Sequence, residues 1–182
     1  MSNKQGPKDP FQIALALLAR RSYSVAELRR ALKKKFPDAA DEISNAVARL
    51  RQLGYLDDKK LAENYALSIA RNRSFGRYRV RRELRGKLLK DSDVDAAVEK
   101  TFASVDEREL LARAVEKKIR TIRKPVTRAR LASLCQSLVR RGFCADDIMR
   151  ELRARPELQT RAEEVDLQAF EAGEEETEGG TK

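Results

Sequence analysis

No histidine occurs anywhere in these 182 residues, tryptophan is absent, and there are only two cysteines. The missing histidine removes Ser-His-Asp and Cys-His nucleophile systems, HExxH metal sites and histidine-ligated zinc. Neither GxxxxGK[ST] nor GxGxxG appears, so the usual phosphate-cradling loops are missing as well. Carboxylates and lysines remain, which leaves a carboxylate–metal nuclease as the enzymatic alternative. The main expectation is a protein that is not an enzyme and holds neither cofactor nor metal. Cys135 and Cys144 are too few for a disulfide scaffold or a zinc site and read as small buried side chains. The apolar run 13–19 is too short to span a bilayer, is followed by Arg20 and Arg21, and leads into no leader-peptide cleavage site. A soluble, cytoplasmic protein with no membrane partner is expected.

Aromatics are scarce at 5%, whereas charged residues reach 37%. That balance suits exposed helices over thin cores better than a β-sandwich. The net charge of +10 is unevenly spread. Residues 161–182 carry eight acids against two bases, which leaves an excess of sixteen positive charges on residues 1–160. A body so basic suits nucleic acid or an acidic protein surface, and the tail is a candidate competitor for either.

Helix punctuation is frequent. Asp9-Pro10 reads as an N-cap followed by proline at the first helical position, with Ile13, Leu17 and Leu18 on the apolar face. Ser24-x-x-Glu27 fits a capping box ahead of Leu28, Leu32 and Phe36, and Pro37 ends that helix. Asp38 is the expected cap of a third helix with Ile43, Val47 and Leu50 inward and Gly54 as its stop. The pattern then returns. Asp57 or Asp58 caps a helix carrying Leu61, Tyr65 and Ile69; Gly76 precedes one with Val80, Leu84 and Leu88; Asp91 or Ser92 opens one with Val94, Val98 and Phe102. In a third round, a capping box at Ser104 and Glu107 leads to Leu111, Val115 and Ile119. Pro125 starts a helix with Leu134 and Leu138 that ends at Gly142, and Ile148 and Leu152 mark the last.

Leu28 and Leu32 map onto Val80 and Leu84 at a shift of 52, and these onto Leu134 and Leu138 at 54. Ile43 and Val47 map onto Val94 and Val98 at 51. Periods of this length with three helices per unit indicate a short helical array rather than one nine-helix bundle. The expected division is a disordered N-terminus at 1–9, repeats at 10–56, 57–103 and 104–155, and a disordered acidic tail at 156–182.

The stretch 71–90 carries nine cations, Arg71, Arg73, Arg77, Arg79, Arg81, Arg82, Arg85, Lys87 and Lys90, against the single acid Glu83. On a helix, Arg77, Arg81 and Arg85 form a stripe about 100° round from Val80 and Leu84, free to face outward. Most charge runs are solvated faces. Here local ion-pair compensation is so thin that an anionic partner is expected, and these nine are the candidate partner- or nucleic-acid-binding residues. Asp57, Asp58, Asp91, Asp93 and Asp95 read as caps and helix-dipole partners, not metal ligands. Lys33–Lys35, Arg140-Arg141 and residues 120–124 are lesser basic clusters. Tyr55 and Tyr65 read as core, and Phe75 and Tyr78 as packing beside Gly76.

Several fragments together resemble one family. GYLDD at 54–58 precedes Leu61-Ala62; Gly76-x-x-x-Val80-x-x-x-Leu84 follows; Leu138 to Phe143 reads LVRRGF; and the early segment reads ALALLARRSYSVAELRRAL. In order and spacing, over residues 12–153, these are similar to the RecX family of bacterial regulators of the RecA recombinase. The resemblance implies three tandem three-helix repeats in an elongated curved rod. It also implies binding along the groove of the RecA–single-stranded DNA filament and restraint of filament growth, ATP hydrolysis and strand exchange; a monomer is expected. KKKFPDAADE and RGKLLKDSD depart from the lysine-glycine turn common in the family, with Gly86 two residues early. The rival reading is a DNA-binding protein without recombinase specificity.

Overall fold

The computed structural model describes residues 9–122, 126–156 and 158. The disorder expected for most of the N-terminus and tail, and the helix start expected at Pro125, lie outside the described residues. Among those described, the secondary structure is entirely helical: α1 (Pro10–Leu18), α2 (Val25–Lys35), α3 (Ala40–Gln52), α4 (Asp58–Arg73), α5 (Arg77–Arg85), α6 (Asp91–Ser104), α7 (Glu107–Ile119), α8 (Arg128–Val139) and α9 (Ala145–Arg153). This is an all-α helical repeat fold. The chain divides into two compact units, one of Met1–Ala66 with Glu83–Ala97 and the other of Leu67–Arg82 with Val98–Lys182, so that α4, α5 and α6 each give a part to both.

The first unit is built on α1, α2 and α3. Asp9 accepts the Gln12 N–H at 2.7 Å and Pro10 sits in the first turn, so α1 begins where the sequence places it. Ala14, Leu28, Leu32, Ile43, Val47, Leu50 and Leu56 form its core, flanked by Phe11, Tyr23 and Phe36. Each fully buried leucine in this group contributes about 2 kcal/mol relative to exposure. Asp38 does not cap α3; the N-cap is Ala39, which makes no side-chain capping bond. Asp41 and Glu42 in the first turn supply negative charge there instead.

The second unit is built on α7, α8 and α9, with Leu111, Val115, Leu131, Leu134, Leu138, Ile148 and Leu152 buried. Thr127 caps α8 by accepting the Arg130 N–H, two residues beyond Pro125. Ser104 caps nothing: it ends α6, and its hydroxyl donates to the Thr101 carbonyl at 2.9 Å. Asp106 is the cap of α7, accepting from the Arg108 and Glu109 N–H groups. Cys135 is buried, and that burial pushes its thiol up to about 11, leaving it protonated and unreactive at neutral pH.

Three inward-facing assignments change. Leu88 is 42% exposed with φ +56°, because α5 stops at Arg85. The Lys87 and Leu88 N–H groups reach back only three residues, to Leu84 and Arg85, and this tighter turn brings Leu89 into the core instead. Tyr55 is 59% exposed and Tyr78 52%, so neither packs as expected. On α4 the buried line runs through Ala62, Ala66, Ile69 and Ala70, while Leu61 and Tyr65 are half-buried beside it. Small alanines let other segments approach closely, a signal that hydrophobicity alone undervalues.

Candidate partner interface

The nine cations of 71–90 divide by environment. In the second unit, Arg71 and Arg73 lie on the last turn of α4 and are exposed. Arg71 borders a hollow of about 320 Å³ shared with Asp106, Glu109 and Arg113. There Arg113 pairs with Glu109 at 3.0 Å, so the surroundings are mixed in charge.

Arg77, the first residue of α5, is held inward. Its guanidinium pairs with Glu99 at 2.5 Å and Glu107 at 3.7 Å, and lies over the Phe102 ring at 5.3 Å. Arg79 is half-buried over Phe75, 5.3 Å from the ring centre. Arg81 is half-buried and Arg82 exposed.

In the first unit, Arg85 pairs with Asp91 at 3.1 Å. The Lys87 side chain is only 15% exposed, and its ammonium lies 4.4 Å from the Tyr65 ring centre and 4.0 Å from Glu27. Lys90 is exposed. Acids outside 71–90 supply compensation, Asp91 close by in sequence and Glu27, Glu99 and Glu107 remote from it, and Arg77, Arg85 and Lys87 are partnered by the protein itself. Among the described residues, Arg71, Arg73, Arg82 and Lys90 make no side-chain ion pair and lie open to solvent.

The role of Arg77 follows from where α5 begins. A helix start leaves N–H groups without intrahelical acceptors, and such an end can hold a phosphate. Here those donors are taken. The Gly76 N–H donates to the Arg141 carbonyl at 2.9 Å, the Arg77 N–H to Glu107 Oε1 at 2.8 Å, and the Tyr78 N–H to the Gly142 carbonyl at 3.3 Å. Two glycines permit this. A Cβ on Gly76 would run into the Gly142 carbonyl, and one on Gly142, where φ is +84°, would strike the Arg79 backbone. Gly76 and the LVRRGF segment, 66 residues apart, therefore meet backbone to backbone.

The first unit contains a related junction at the start of α2. Ser24 is fully buried and caps α2 with the reciprocal Glu27 bond; its hydroxyl also donates to the Lys87 carbonyl at 2.5 Å. The Val25 N–H donates to Asp58 Oδ1 at 2.9 Å. Asp58 opens α4 and Glu107 opens α7, and each receives the N-terminus of the helix two before it. Asp57 is the cap of α4: it accepts the Lys60 N–H at 2.9 Å, which holds its carboxyl below the usual aspartate range. Composition around 71–90 did not reveal Glu107, Asp58, Glu99 or Glu27 as partners. The available signal was positional, an acid at the first helical residue of successive repeats. No group of three or more potential metal ligands occurs among the described residues, and none of their helices is long and apolar enough to cross a membrane.

Fold and surface define a class: an all-helical repeat protein with part of a dense arginine tract locked into its junctions and part presented outward. Comparison with known proteins places it further. The family model for the RecX first three-helix domain matches residues 11–50. The chain is 34% identical over 153 residues to the regulatory protein RecX of Trichlorobacter lovleyi, covering 84% of this chain and 98% of that one. It is 40% identical over 109 residues to the regulatory protein RecX of Chlorobaculum tepidum, covering 60% and 65%. The crystal structure of RecX from Lactobacillus salivarius superposes with a TM-score of 0.66 at 22% identity, over 80% of this chain and 93% of that one. The chain belongs to the RecX family of regulatory proteins.

Proposed function

We propose that this protein is a non-enzymatic regulator that binds the RecA–single-stranded DNA filament and restrains filament growth, ATP hydrolysis and strand exchange during DNA repair and the SOS response. Membership of the RecX family over nearly the whole length of a relative carries the reading. The exposed cations Arg71, Arg73, Arg82 and Lys90 support it, because outward guanidinium and ammonium groups suit phosphates or carboxylates on an anionic partner. Arg77, Arg79, Arg81, Arg85 and Lys87 belong to the same tract, with Arg77 and Lys87 acting mainly to hold the junctions. The protein acts in the cytoplasm as a monomer and needs no cofactor. Its repeats are 10–56, 57–103 and 104–155, a division supported by the recurrence of the α2 and α5 junctions.

The mechanism is stoichiometric: a bound molecule occupies the filament groove and blocks protomer addition or conformational cycling. Titration into RecA, ATP and single-stranded DNA at sub-stoichiometric ratios tests this, with shorter filaments and slower hydrolysis expected. Unchanged hydrolysis and filament length sink it. The exposed cations equally suit a general DNA-binding protein, which would bind bare single strands as tightly as RecA-coated ones.

A further inference from the structure

A second basic feature lies within the second unit, away from the 71–90 tract. The C-terminal end of α7 and the outer side of α8 enclose a hollow of about 360 Å³ bordered by Lys118, Thr121, Arg130, Ser133, Ser137 and Arg140. Three cations and three hydroxyls surround it, and no carboxylate is among its described lining residues. Arg120, just beyond the end of α7, is turned to Glu116 and does not take part. The Thr121 and Ser137 hydroxyls donate to the Lys118 and Leu134 carbonyls at 2.7 and 2.9 Å, so it is the guanidinium and ammonium groups that suit the hollow to an anion.

One anionic segment is tethered close to this hollow. Leu158 is buried, and its N–H donates to the Arg155 carbonyl at 2.9 Å. Arg155 in turn donates to the Ala112 carbonyl of α7 at 3.4 Å and to Glu151 at 2.8 Å. The chain thus leaves its last anchored point within an arginine side chain's reach of Ala112, and Lys118 lies about 9 Å further along the same helix at 1.5 Å per residue. Twenty-four residues follow Leu158, and four of the five at 174–178 are glutamates. A polypeptide of that length spans roughly 25 Å even as a coil, so the tether reaches with length to spare. Tethering also raises the local concentration of the glutamates to the order of millimolar.

We propose that the acidic C-terminal segment docks in cis on the α7–α8 hollow, its glutamates 174–178 pairing with Lys118 and Arg140. The segment shields this positive surface from other polyanions. The contact is electrostatic and salt-sensitive, and it belongs to this chain's own charge split rather than to filament binding.

Backbone amide shifts of the full-length protein test it directly. The comparison is with a full-length variant carrying Glu174→Gln, Glu175→Gln, Glu176→Gln and Glu178→Gln, at low ionic strength. Expected differences outside the tail concentrate on Lys118, Thr121, Ser133, Ser137 and Arg140. They fall by more than half in about 0.5 M salt, where charge screening acts within a few ångströms. A Lys118→Glu, Arg140→Glu protein should show no response to tail neutralisation, whereas Arg29→Glu, Arg30→Glu, at exposed sites on α2, should respond like the parent. No response at the hollow, or one spread over all basic surfaces, overturns the proposal. It is equally overturned if the hollow responds to added oligothymidylate but not to tail neutralisation, which would make it a nucleic-acid site.

Discussion

At the start of α2 each remote hydrogen bond pairs a side chain with backbone; at the start of α5 two of the three join backbone to backbone. Ser24 reaches the Lys87 carbonyl through its hydroxyl, while Gly76, the corresponding residue 52 positions on, donates its own N–H to Arg141. The carboxylate is common to both junctions, Asp58 at the first and Glu107 at the second. A side-chain joint tolerates adjustment, since a hydroxyl can rotate and a neighbour can shift. A backbone joint needs two glycines and leaves no room for a methyl group. The same repeat thus has one adaptable seam and one intolerant seam, and the arginine tract serves the intolerant one through Arg77.

The largest expected effect separates the two kinds of seam from simple backbone strain. Gly54 and Gly142 both have positive φ, +76° and +84°, but nothing lies within 4 Å of a Cβ at Gly54. Gly54→Ala should therefore cost only the left-handed strain, roughly 1–2 kcal/mol. Gly142→Ala adds a collision with the Arg79 backbone and should cost about 4 kcal/mol in denaturant unfolding. Equal losses would mean that the second seam is looser than its geometry implies.

Ser24 and Gly76 sharpen the contrast. Ser24→Ala removes a cap and the hydrogen bond to Lys87, a loss of about 1–2 kcal/mol by chemical denaturation. Gly76→Ala removes no hydrogen bond, yet should cost about 3 kcal/mol through its clash with Gly142. A smaller loss at Gly76 than at Ser24 would reverse the distinction.

The shared carboxylates come next. Glu107→Ala removes the acceptor of the Arg77 N–H and one of the two carboxylates at its guanidinium, and should lose about 2 kcal/mol, against about 1 kcal/mol for Asp58→Ala, which abandons one N–H. Thermal melts of the two variants, side by side, check the order.

Much of the fold was legible because helix signals are local. Asp9-Pro10, the Ser24–Glu27 box, the four-residue spacing of Leu28 and Leu32, and their return near 52 and 54 residues all depend on neighbours in sequence. The failures have a common cause. Ser104 and Glu107 match a capping box by spacing, but Glu107 is drawn to the Arg77 N–H thirty residues away, and Asp106 takes the local role. Leu88 continues a four-residue rhythm that α5 abandons at Arg85. The tract 71–90 looked uncompensated because Glu99, Glu107 and Glu27 approach it only in the fold. Gly76 and Gly142 were visible as punctuation, whereas their mutual contact was not.

The central claim is that this arginine tract is divided between holding the protein together and meeting an anionic partner. Pairing Arg77→Ala with Arg82→Ala tests it most directly, each measured for unfolding free energy and for the salt dependence of binding to RecA-coated single-stranded DNA. Arg77→Ala should lose about 1–2 kcal/mol of stability, because Glu99 and Glu107 lose their shared cation, with a binding slope close to the parent's. Arg82→Ala should unfold within about 0.5 kcal/mol of the parent, with a binding slope shallower by roughly 0.7, the loss of one phosphate contact. Stability lost at Arg82 and binding lost at Arg77 would contradict the division.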